Sequence, residues 1–315
     1  MSLLEAIAGK QNIVLTAHAF ADADAVGSLI ALADFLEQKG VNVTVAIAKG
    51  APKNLKFLVG QRNIVMAGEF VWQGYDLIFV LDCSSPDLTH LPGISSIAKE
   101  NIVNIDHHPD NTLFGIHNFL DTHSASTAEI VYKMLKESAA ELTGNQATAL
   151  LAGIMGDTGS FKHNNTTEEV LRDAGELMYA GANLRKISRY LFTRKDYAQL
   201  NAWAYVLENA YYDELTGAII SALTEEEIAS LGVTDDVFDG VVELLNTHES
   251  ASFAVFVRQR GDEIKVSLRS ENFKGVDVGA MAAGFGGGGH RLAAGFSLPG
   301  KLTKSPAGLF VTPGV

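Results

Sequence analysis

The first half of the chain alternates short apolar runs, typical of β-strands, with longer segments of helical periodicity. The apolar runs lie at 12–17, 41–47, 75–81 and 101–105, with a weaker run at 63–66. Between the first two runs, apolar side chains recur at helical spacing over 25–39, and Gly40 supplies a stop signal. This alternation favours parallel strands joined by helices, because strand–helix–strand units bury both faces of a sheet. We therefore expect an α/β fold whose N-terminal parallel sheet is flanked by helices.

A helix-rich stretch follows, and a second, smaller α/β pattern begins after it. Helices are predicted at 126–142, 146–155, 168–180 and 183–190, followed by a helical connector at about 190–210. Beyond residue 211 we predict a strand at 218–223, helices at 225–231 and 238–246, a hairpin of strands at 253–259 and 264–268, and a helix at 277–284. Because 315 residues exceed a typical single domain, we expect two domains, at 1–195 and 211–315, the second with a mixed sheet.

The composition indicates a folded protein and excludes several classes of function. Hydrophobic residues make up 47% of the chain and charged residues 19%, which is typical of globular proteins. No apolar run reaches the roughly 18 residues that cross a bilayer, and the N-terminus lacks signal-peptide features, so we expect a cytoplasmic protein without a membrane partner. The single cysteine, Cys83, excludes a multi-thiolate zinc site and is expected to be buried and inert. The net charge of −13 argues against long duplex nucleic acid as a partner.

Carboxylates and imidazoles concentrate where the predicted strands and helices end. Ligands of open parallel sheets collect at the carboxyl ends of the strands, and oxygen ligands mixed with imidazoles suit a two-metal centre that hydrolyses phosphate esters. The residues are His18, Asp22 and Asp24 after the first run, Asp82 after the run at 75–81, Asp106, His107 and His108 after the run at 101–105, and Asp157 at a helix end. Each alone could instead be a helix cap, a turn residue or a surface histidine. Their number favours one shared site.

The remaining histidines carry weaker signals. His163 is ambiguous, because the following segment reads mainly as a helix start. The others are expected to have surface or structural roles, and among them His123 is the strongest candidate for a site residue. These others are His90, His117, His123 and His248.

A glycine-rich segment at 286–295 is the second strong signal. Consecutive glycines let backbone N–H groups approach an anion, and a helix beginning after them would add its positive end. Such a stretch is otherwise a flexible loop. A regular strand register is expected to put Arg269 on a different face of the sheet from Arg258 and Arg260. The expected phosphate or nucleotide contacts are Arg269, Ser270, Gly287, Gly288, Gly289, His290 and Arg291.

These motifs together resemble the DHH phosphoesterase superfamily, and most of all its nanoRNase and pAp-phosphatase branch. Asp106-His107-His108 corresponds to the motif that names the family, and 286–295 resembles its DHH-associated C-terminal domain. The likeness covers nearly the entire chain and implies two domains with a metal cleft between them. Two departures stand out: Phe20-Ala21 replaces a segment in which the family usually has proline before the first Asp, and an arginine common after Asp82 is missing.

The resemblance also implies a role for each candidate residue. One of two Mn²⁺ ions, for which Mg²⁺ or Co²⁺ could substitute, would be bound by His18, Asp22 and Asp82. The other would be bound by Asp24, Asp82, His107 and Asp157, so that Asp82 bridges the pair. His108 would face the substrate and Asp106 would orient the neighbouring imidazole. The substrate would be held by the residues of the second domain named above: Arg269, Ser270, Gly287, Gly288, Gly289, His290 and Arg291.

The implied activity is hydrolysis of short oligonucleotides, 3′-phosphoadenosine 5′-phosphate (pAp) or linear dinucleotides by a hydroxide that two metals activate. A family II inorganic pyrophosphatase or exopolyphosphatase shares the N-terminal ligands, although it binds its substrate with a Lys/Arg-rich C-terminal signature. A RecJ-like single-strand exonuclease shares both motifs but is usually longer. A non-catalytic binding protein is disfavoured because no ligand is missing. Exposed helices of the first domain could support a homodimer.

Overall fold

The chain folds into two compact units, and each is built on its own β-sheet. The computed structural model describes residues 2–193, 195–305 and 308–312. The first unit comprises Met1–Arg194 and the second Lys195–Val315. The helix at Tyr197–Glu208, in the segment predicted as a connector, packs into the core of the second unit through Ala202 and Val206.

The sheet of the first unit has six strands, all parallel, in the order β3-β2-β1-β4-β5-β6. The strands are β1 (Asn12–Thr16), β2 (Asn42–Ala46), β3 (Ile64–Val65), β4 (Leu77–Leu81), β5 (Ile102–Asp106) and β6 (His117–Leu120). All residues of β4 and β5 are buried, as expected for central strands covered on both faces. The predicted parallel sheet is confirmed. The edge strand β6 was not predicted, because its four half-buried residues show no apolar run.

Helices cover this sheet and meet in one large core. They are α1 (Leu3–Ala6), α2 (Ala23–Gln38), α3 (Lys56–Val59), α4 (Thr127–Glu137), α5 (Gly144–Asp157), α6 (Glu168–Tyr179) and α7 (Leu184–Ser188), with a π-helical turn at Arg189–Thr193. Helix α4 ends five residues before the predicted 142, because Ala139 takes a left-handed φ of +50° and Ala140 N–H donates back to Leu135 O.

Two glycines let the central helices α2 and α5 cross at close range. A Cβ atom at Gly27 would lie 2.3 Å from the carbonyl oxygen of Ala149. A Cβ atom at Gly153 would lie 2.5 Å from the Cβ of Ala128 and 2.8 Å from Oδ1 of Asp24. Because Asp24 begins α2 and Asp157 ends α5, this crossing fixes how two of the candidate ligands approach each other.

The second unit contains a mixed six-stranded sheet in the order β11-β12-β10-β9-β8-β7. Only β8 and β9 pair in parallel; the other neighbours are antiparallel. The strands are β7 (Tyr211–Asp213), β8 (Ala218–Leu223), β9 (Phe253–Arg260), β10 (Glu263–Arg269), β11 (Gly288–His290) and β12 (Ala293–Pro299). Two further strands, β13 (Lys301–Ser305) and β14 (Gly308–Thr312), form a separate hairpin. The predicted mixed sheet is confirmed.

Helices pack on both faces of the second sheet. They are α8 (Tyr197–Glu208), α9 (Glu225–Leu231), α10 (Val241–Leu245) and α11 (Val278–Ala283). Helices α8 and α10 share one core with Ala254 and Phe256, whereas α11 shares another with Leu268. The helix predicted at 238–246 is split into a 3₁₀ turn, Asp235–Phe238, and α10. Gly240 separates the two with a left-handed φ of +89°.

The helix expected after the glycine-rich segment is absent, and this prediction was wrong. Strand β11 contains Gly288 and His290, and β12 follows after a two-residue turn. A Cβ at Gly287 would lie 2.3 Å from Gly295 O, and one at Gly289 would lie 2.5 Å from Ala293 O. The glycines therefore allow close pairing of two strands, which small residues alone permit.

The single cysteine is buried, as its position after an apolar run predicted. Cys83 is 1% exposed, and burial raises the pKa of its thiol, as expected for an inert cysteine. Its Sγ lies 3.0 Å from the carbonyl oxygen of Ser85. None of the helices in the described part of the chain has the length and apolar character needed to cross a membrane.

Candidate metal centre

The metal centre predicted from the sequence lies at the carboxyl edge of the first sheet. Strands β1, β4 and β5 are direct neighbours, so the residues that follow them are brought together. His18 follows β1, Asp82 follows β4, and His107 and His108 follow β5. Helix α2 begins after Asp22, and helix α5 ends at Asp157. Four sequence segments thus converge on one place.

The side chains form overlapping groups whose potential ligand atoms lie within 4.8 Å of one another. The groups are His18 with Asp22 and Asp82, Asp24 with His107 and Asp157, and Asp82 with His107 and His108. The Nε2 atom of His18 lies 3.5 Å from Oδ2 of Asp82, and Nε2 of His107 lies 3.2 Å from Oδ2 of Asp157. The Asp82 carboxylate is shared, since its Oδ1 is 3.8 Å from His107 Nε2.

Asp82 is held in this central position by an unusual backbone. Its φ is +51°, a left-handed conformation that few non-glycine residues adopt. Its N–H donates to Ile105 O at 2.9 Å, and the hydroxyl of Thr127 donates to its Oδ1 at 3.3 Å. Only 3% of the side chain is exposed. Burial would raise the pKa of Asp82, but the hydrogen bond and charge of His18 outweigh it and keep that pKa below its ordinary value.

Asp24 and Asp157 show that the site holds more carboxylates than positive charge can balance. Asp24 is fully buried and accepts hydrogen bonds from the N–H groups of Thr127, at 2.6 Å, and Ala128, at 2.7 Å, in the first turn of α4. Burial, and then the charge of Asp82, raises the pKa of Asp24 well above its ordinary value. Burial, and then the charge of Asp24, does the same to the pKa of Asp157. Crowded carboxylates of this kind would ionise readily only with cations between them.

Asp22 combines the structural and the functional alternatives that its sequence position left open. Its Oδ1 accepts hydrogen bonds from the N–H groups of Asp24, at 3.0 Å, and Ala25, at 3.1 Å, which makes it the N-cap of α2. It also belongs to the group with His18 and Asp82. Capping of a helix therefore does not exclude the same carboxylate from binding a metal.

Asp106 orients His108 rather than His107. The Nδ1 atom of His108 lies 2.8 Å from Oδ1 of Asp106, and Asn111 Nδ2 donates to the other carboxylate oxygen at 2.6 Å. Asp106 is completely buried. Burial would lower the pKa of His108, but the hydrogen bond to Asp106 and the charge of Asp82 raise it to about 9. The imidazole is therefore protonated at neutral pH in the metal-free protein.

Sequence reasoning missed several residues that support this arrangement. Asn104 donates to Val80 O at 3.0 Å and accepts from Asn111 Nδ2 at 2.7 Å. Its position as a polar side chain inside an apolar run was a usable signal. Thr127 gave no such signal, because its contact with Asp82 joins segments that are 45 residues apart.

The histidines outside the clusters have ordinary structural surroundings. Nδ1 of His163 is 2.9 Å from Asp157 O, so this histidine lies beside the site without belonging to a ligand group among the described residues. His123, the strongest of the remaining candidates, is 96% exposed and lies 3.8 Å from Asp121. His248 stacks on Tyr212 with ring centroids 5.5 Å apart.

Two of the predicted substrate residues, Arg269 and His290, lie on one face of the sheet in the second unit. The regular register of β9 with β10 pairs Lys265 with Arg258 and Arg269 with Ala254. Positions 258, 260 and 269 therefore share a face, and the expectation that Arg269 lies opposite Arg258 and Arg260 was wrong. Through Ala293, which pairs with both, Arg269 and His290 also lie on this face.

The predicted substrate residues differ in what holds them. Arg269 Nε lies 2.6 Å from Oε1 of Glu243 and lines a cavity of about 210 Å³. Ser270 is 5% exposed, and its hydroxyl donates to Ser252 O at 3.0 Å, which is a structural role. Arg291 is exposed, and its Nη1 is 3.5 Å from Asn272 Oδ1. Gly288 has open space where a side chain would be, unlike Gly287 and Gly289, which are packed against β12.

Comparison with known proteins identifies the family. Residues 12–154 match the N-terminal domain of the DHH family, and residues 216–306 match the DHHA1 domain. The chain is 32% identical to the bifunctional oligoribonuclease and PAP phosphatase NrnA of Thermus thermophilus, over 95% of this chain and 87% of that protein. It is 28% identical to the protein of the same name from Bacillus subtilis, over 94% and 92%. The chain therefore belongs to the DHH family, as its Asp106-His107-His108 motif predicted.

Solved structures agree with this assignment. An exopolyphosphatase-related protein from Bacteroides fragilis has a TM-score of 0.85 at 25% identity, covering 93% of this chain and 88% of that one. A putative family II inorganic pyrophosphatase from Methanococcus jannaschii shares the fold, with a TM-score of 0.51 at 17% identity over 90% and 93%. The predicted fold class is confirmed, and so is the predicted class of enzyme, a hydrolase of phosphoester bonds.

Proposed function

We propose that this protein is a Mn²⁺-dependent phosphoesterase that hydrolyses short oligonucleotides and pAp or linear dinucleotides. The observation that carries the proposal is the buried Asp82 carboxylate, which belongs to two groups of potential ligands at once. The names of the relatives from Thermus thermophilus and Bacillus subtilis support the choice of substrates.

The donor atoms fit two divalent ions. His18, Asp22 and Asp82 would hold one ion, and Asp24, Asp82, His107 and Asp157 the other. Carboxylate oxygens mixed with imidazole nitrogens suit Mn²⁺, and Mg²⁺ or Co²⁺ are alternative ions. The raised pKa values of Asp24 and Asp157 support this fit, because bound cations would relieve the repulsion among the carboxylates. When bound, such ions activate a water molecule and neutralise charge on the attacked phosphate.

His108 and its partner supply the chemistry that depends on the protein alone. Asp106 holds Nδ1 of His108, and the imidazole is proposed to face the substrate through Nε2. In its protonated form this imidazole would donate a hydrogen bond to a phosphate oxygen and a proton to the leaving oxygen. Asp106 acts as a positioning residue, since it contacts the imidazole and is itself buried.

The proposed substrate is short because the chain offers few cations for a long polyanion. Its net charge is −13, and Arg269 and His290 lie on the same face of the second sheet, where His290 is exposed. These two residues are proposed to hold the phosphate or the ribose of the nucleotide. Arg269 would exchange its ion pair with Glu243 for the substrate phosphate.

A substrate panel tests the proposal. The metal-free protein is supplied with Mn²⁺ and assayed with pAp, the dinucleotides pApA and pGpG, an RNA of five nucleotides, and inorganic pyrophosphate. We expect hydrolysis of the nucleotides, no hydrolysis after chelation, and little activity on pyrophosphate. A clear preference for pyrophosphate or polyphosphate would overturn the proposal in favour of the alternative enzyme class.

A further inference from the structure

An aromatic ring lies exposed between two of the proposed metal ligands. Phe20 is two residues from His18 and two from Asp22, yet 67% of it is exposed. Its two neighbours in the loop, Ala19 and Ala21, are by contrast buried. A single exposed apolar side chain is common on protein surfaces, so what Phe20 can bind depends on its neighbours.

The surroundings of Phe20 come from neighbouring strands at the same edge of the sheet. Lys49, which follows β2, places its Nζ 3.4 Å from the centroid of the Phe20 ring. His90, which follows β4, packs edge-on with ring centroids 6.0 Å apart. The loop is tied to the same segment, because Ala19 N–H donates to Leu88 O at 2.8 Å. Since β2, β1 and β4 are adjacent, this group lies at the edge that carries the metal centre. We call Phe20, Lys49 and His90 the Phe20 patch.

The Phe20 patch has the chemistry of a nucleotide site. Lys49 covers one face of the ring, and because the residue remains 67% exposed, the other face is open to solvent. An open aromatic face stacks on a nucleobase of any sequence. No carboxylate of the described residues pairs with Lys49, so its ammonium is available to a phosphate. Inorganic pyrophosphate could use the ammonium but not the ring.

We propose that Phe20 and Lys49 form a positioning subsite for a nucleoside of the substrate, with the base on the open face of Phe20 and a phosphate at Lys49. This inference rests on the proposed function and deepens it, because it makes the first unit itself selective for nucleotides. Neither residue touches the reacting atoms; they fix the substrate while the metal centre acts on it.

The test compares two substrates that share a phosphodiester but differ in the base. Phe20→Ala is assayed with Mn²⁺ on pApA and on the matching abasic dinucleotide. Loss of base stacking is expected to raise KM for pApA about five- to tenfold while kcat stays within about twofold. KM for the abasic substrate is expected to stay unchanged. Phe20→Tyr should restore the wild-type KM for pApA, and Lys49→Ala should raise KM for both substrates.

Two matched variants control for the loss of an aromatic ring or a charge elsewhere. Tyr179→Ala removes a ring that is 96% exposed on α6, and Lys39→Ala removes another lysine that lies over a phenylalanine ring, at 5.4 Å. Both should keep the wild-type KM for both substrates. Because Phe20 is exposed, the melting temperature of Phe20→Ala should equal that of the wild type.

The outcomes separate this inference from the proposed function. Suppose that the wild-type protein hydrolyses pApA. If Phe20→Ala then leaves KM for pApA unchanged, or raises KM equally for pApA and the abasic dinucleotide, the subsite is overturned and the proposed function stands. Wild-type protein that turns over no nucleotide would overturn the proposed function and the subsite with it.

Discussion

At the scale of single residues, Asp82 is the central carboxylate of the site. It ends a fully buried strand, adopts a left-handed φ, and lies within 3.8 Å of imidazole nitrogens of His18, His107 and His108. A buried carboxylate without cations would cost several kcal/mol, and in the absence of metal His18 and His108, whose pKa values are raised, supply positive charge. Strain of this kind is kept at functional sites when the surrounding structure determines it.

Asp82→Asn is expected to lower kcat by at least about a hundredfold, because it weakens both proposed ions at once. The side chain keeps its shape, so the fold should persist. Metal content measured by elemental analysis should fall together with the Mn²⁺-dependent rate. Near-normal turnover with two bound Mn²⁺ ions would contradict the shared role of this carboxylate.

Asp106→Asn is expected to lower the pKa of His108 from its raised value of about 9, since it removes the negative partner of Nδ1. The titration of His108 in the metal-free protein can be followed by NMR. Asp110→Asn removes a nearby carboxylate with a smaller influence on His108 and serves as the control. An unchanged titration in Asp106→Asn would show that Asp106 does not tune this imidazole.

At the scale of elements, the site depends on how closely α2, α4 and α5 approach. The first turn of α4 donates two N–H groups to Asp24, which lies 103 and 104 residues away in sequence. The glycines of α2 and α5 make this contact feasible, because side chains there would collide with the neighbouring helices. The packing of these helices therefore determines where the carboxylate of Asp24 lies in the site.

Gly153→Ala is expected to destabilise the protein by about 1–3 kcal/mol, because its Cβ would overlap Ala128 and Asp24. Denaturant unfolding measures the effect, and Mn²⁺ affinity should weaken with it. Gly175→Ala, in α6, is the matched control, since nothing lies within 4 Å of its added Cβ. That change should stabilise the protein by about 0.5–1 kcal/mol, as expected for glycine inside a helix. Equal effects of the two variants would contradict the close crossing.

Asp173, in α6 and close to α4, is a buried acidic residue with an unmet hydrogen-bonding requirement. Asp173 is 5% exposed, its Oδ2 has no hydrogen-bond partner in the described structure, and burial followed by the charge of Glu129 raises its pKa to about 6. Because the folded state binds this proton more tightly than the unfolded state, stability from Asp173 is fully present below about pH 4. It is lost as the pH rises through about 6.

Asp173→Asn, which resembles the protonated carboxyl, is therefore expected to stabilise the protein at pH 7 by about 1–2 kcal/mol. Denaturant unfolding at several pH values checks this, and the gain should vanish below about pH 4. Asp196→Asn, at the N-cap of α8, is a control that should change stability little at any pH, because Asn caps a helix about as well as Asp. A gain for Asp173→Asn that is independent of pH would contradict the raised pKa.

At the scale of the whole molecule, the metal centre should be coupled to the stability of the first unit. Four aspartates meet there, and their repulsion is relieved only when cations bind. Ions that bind the folded state alone stabilise it by mass action.

Mn²⁺ at about 100 times its dissociation constant is expected to add about 2–3 kcal/mol, seen as a rise of a few degrees in Tm. Chelator should reverse the rise. Asp82→Asn should show a much smaller response, whereas Tyr179→Ala should respond like the wild type. A wild-type Tm that ignores Mn²⁺ would argue against bound ions at this cluster.

The sequence by itself determined five of the six strands of the first sheet and the identity of the clustered residues. Apolar runs define parallel strands locally, and because such strands end at a common edge, residues such as His18, Asp82 and His107 could be expected to meet. Their grouping in space agrees with that expectation, although their binding of metal remains a proposal. Local patterns carry this information because burial of a strand depends on its own side chains.

Only the tertiary structure decided which partners complete the site and what the glycines do. The N–H groups that reach Asp24, the left-handed backbone of Asp82 and the shared face of Arg258 and Arg269 all depend on contacts between distant segments. Strand β12 is rich in small residues and gave no clear local preference, so pairing with β10 and β11 decided its conformation. Where local preferences are weak, long-range packing decides the conformation, and these features could not be predicted from the sequence for that reason.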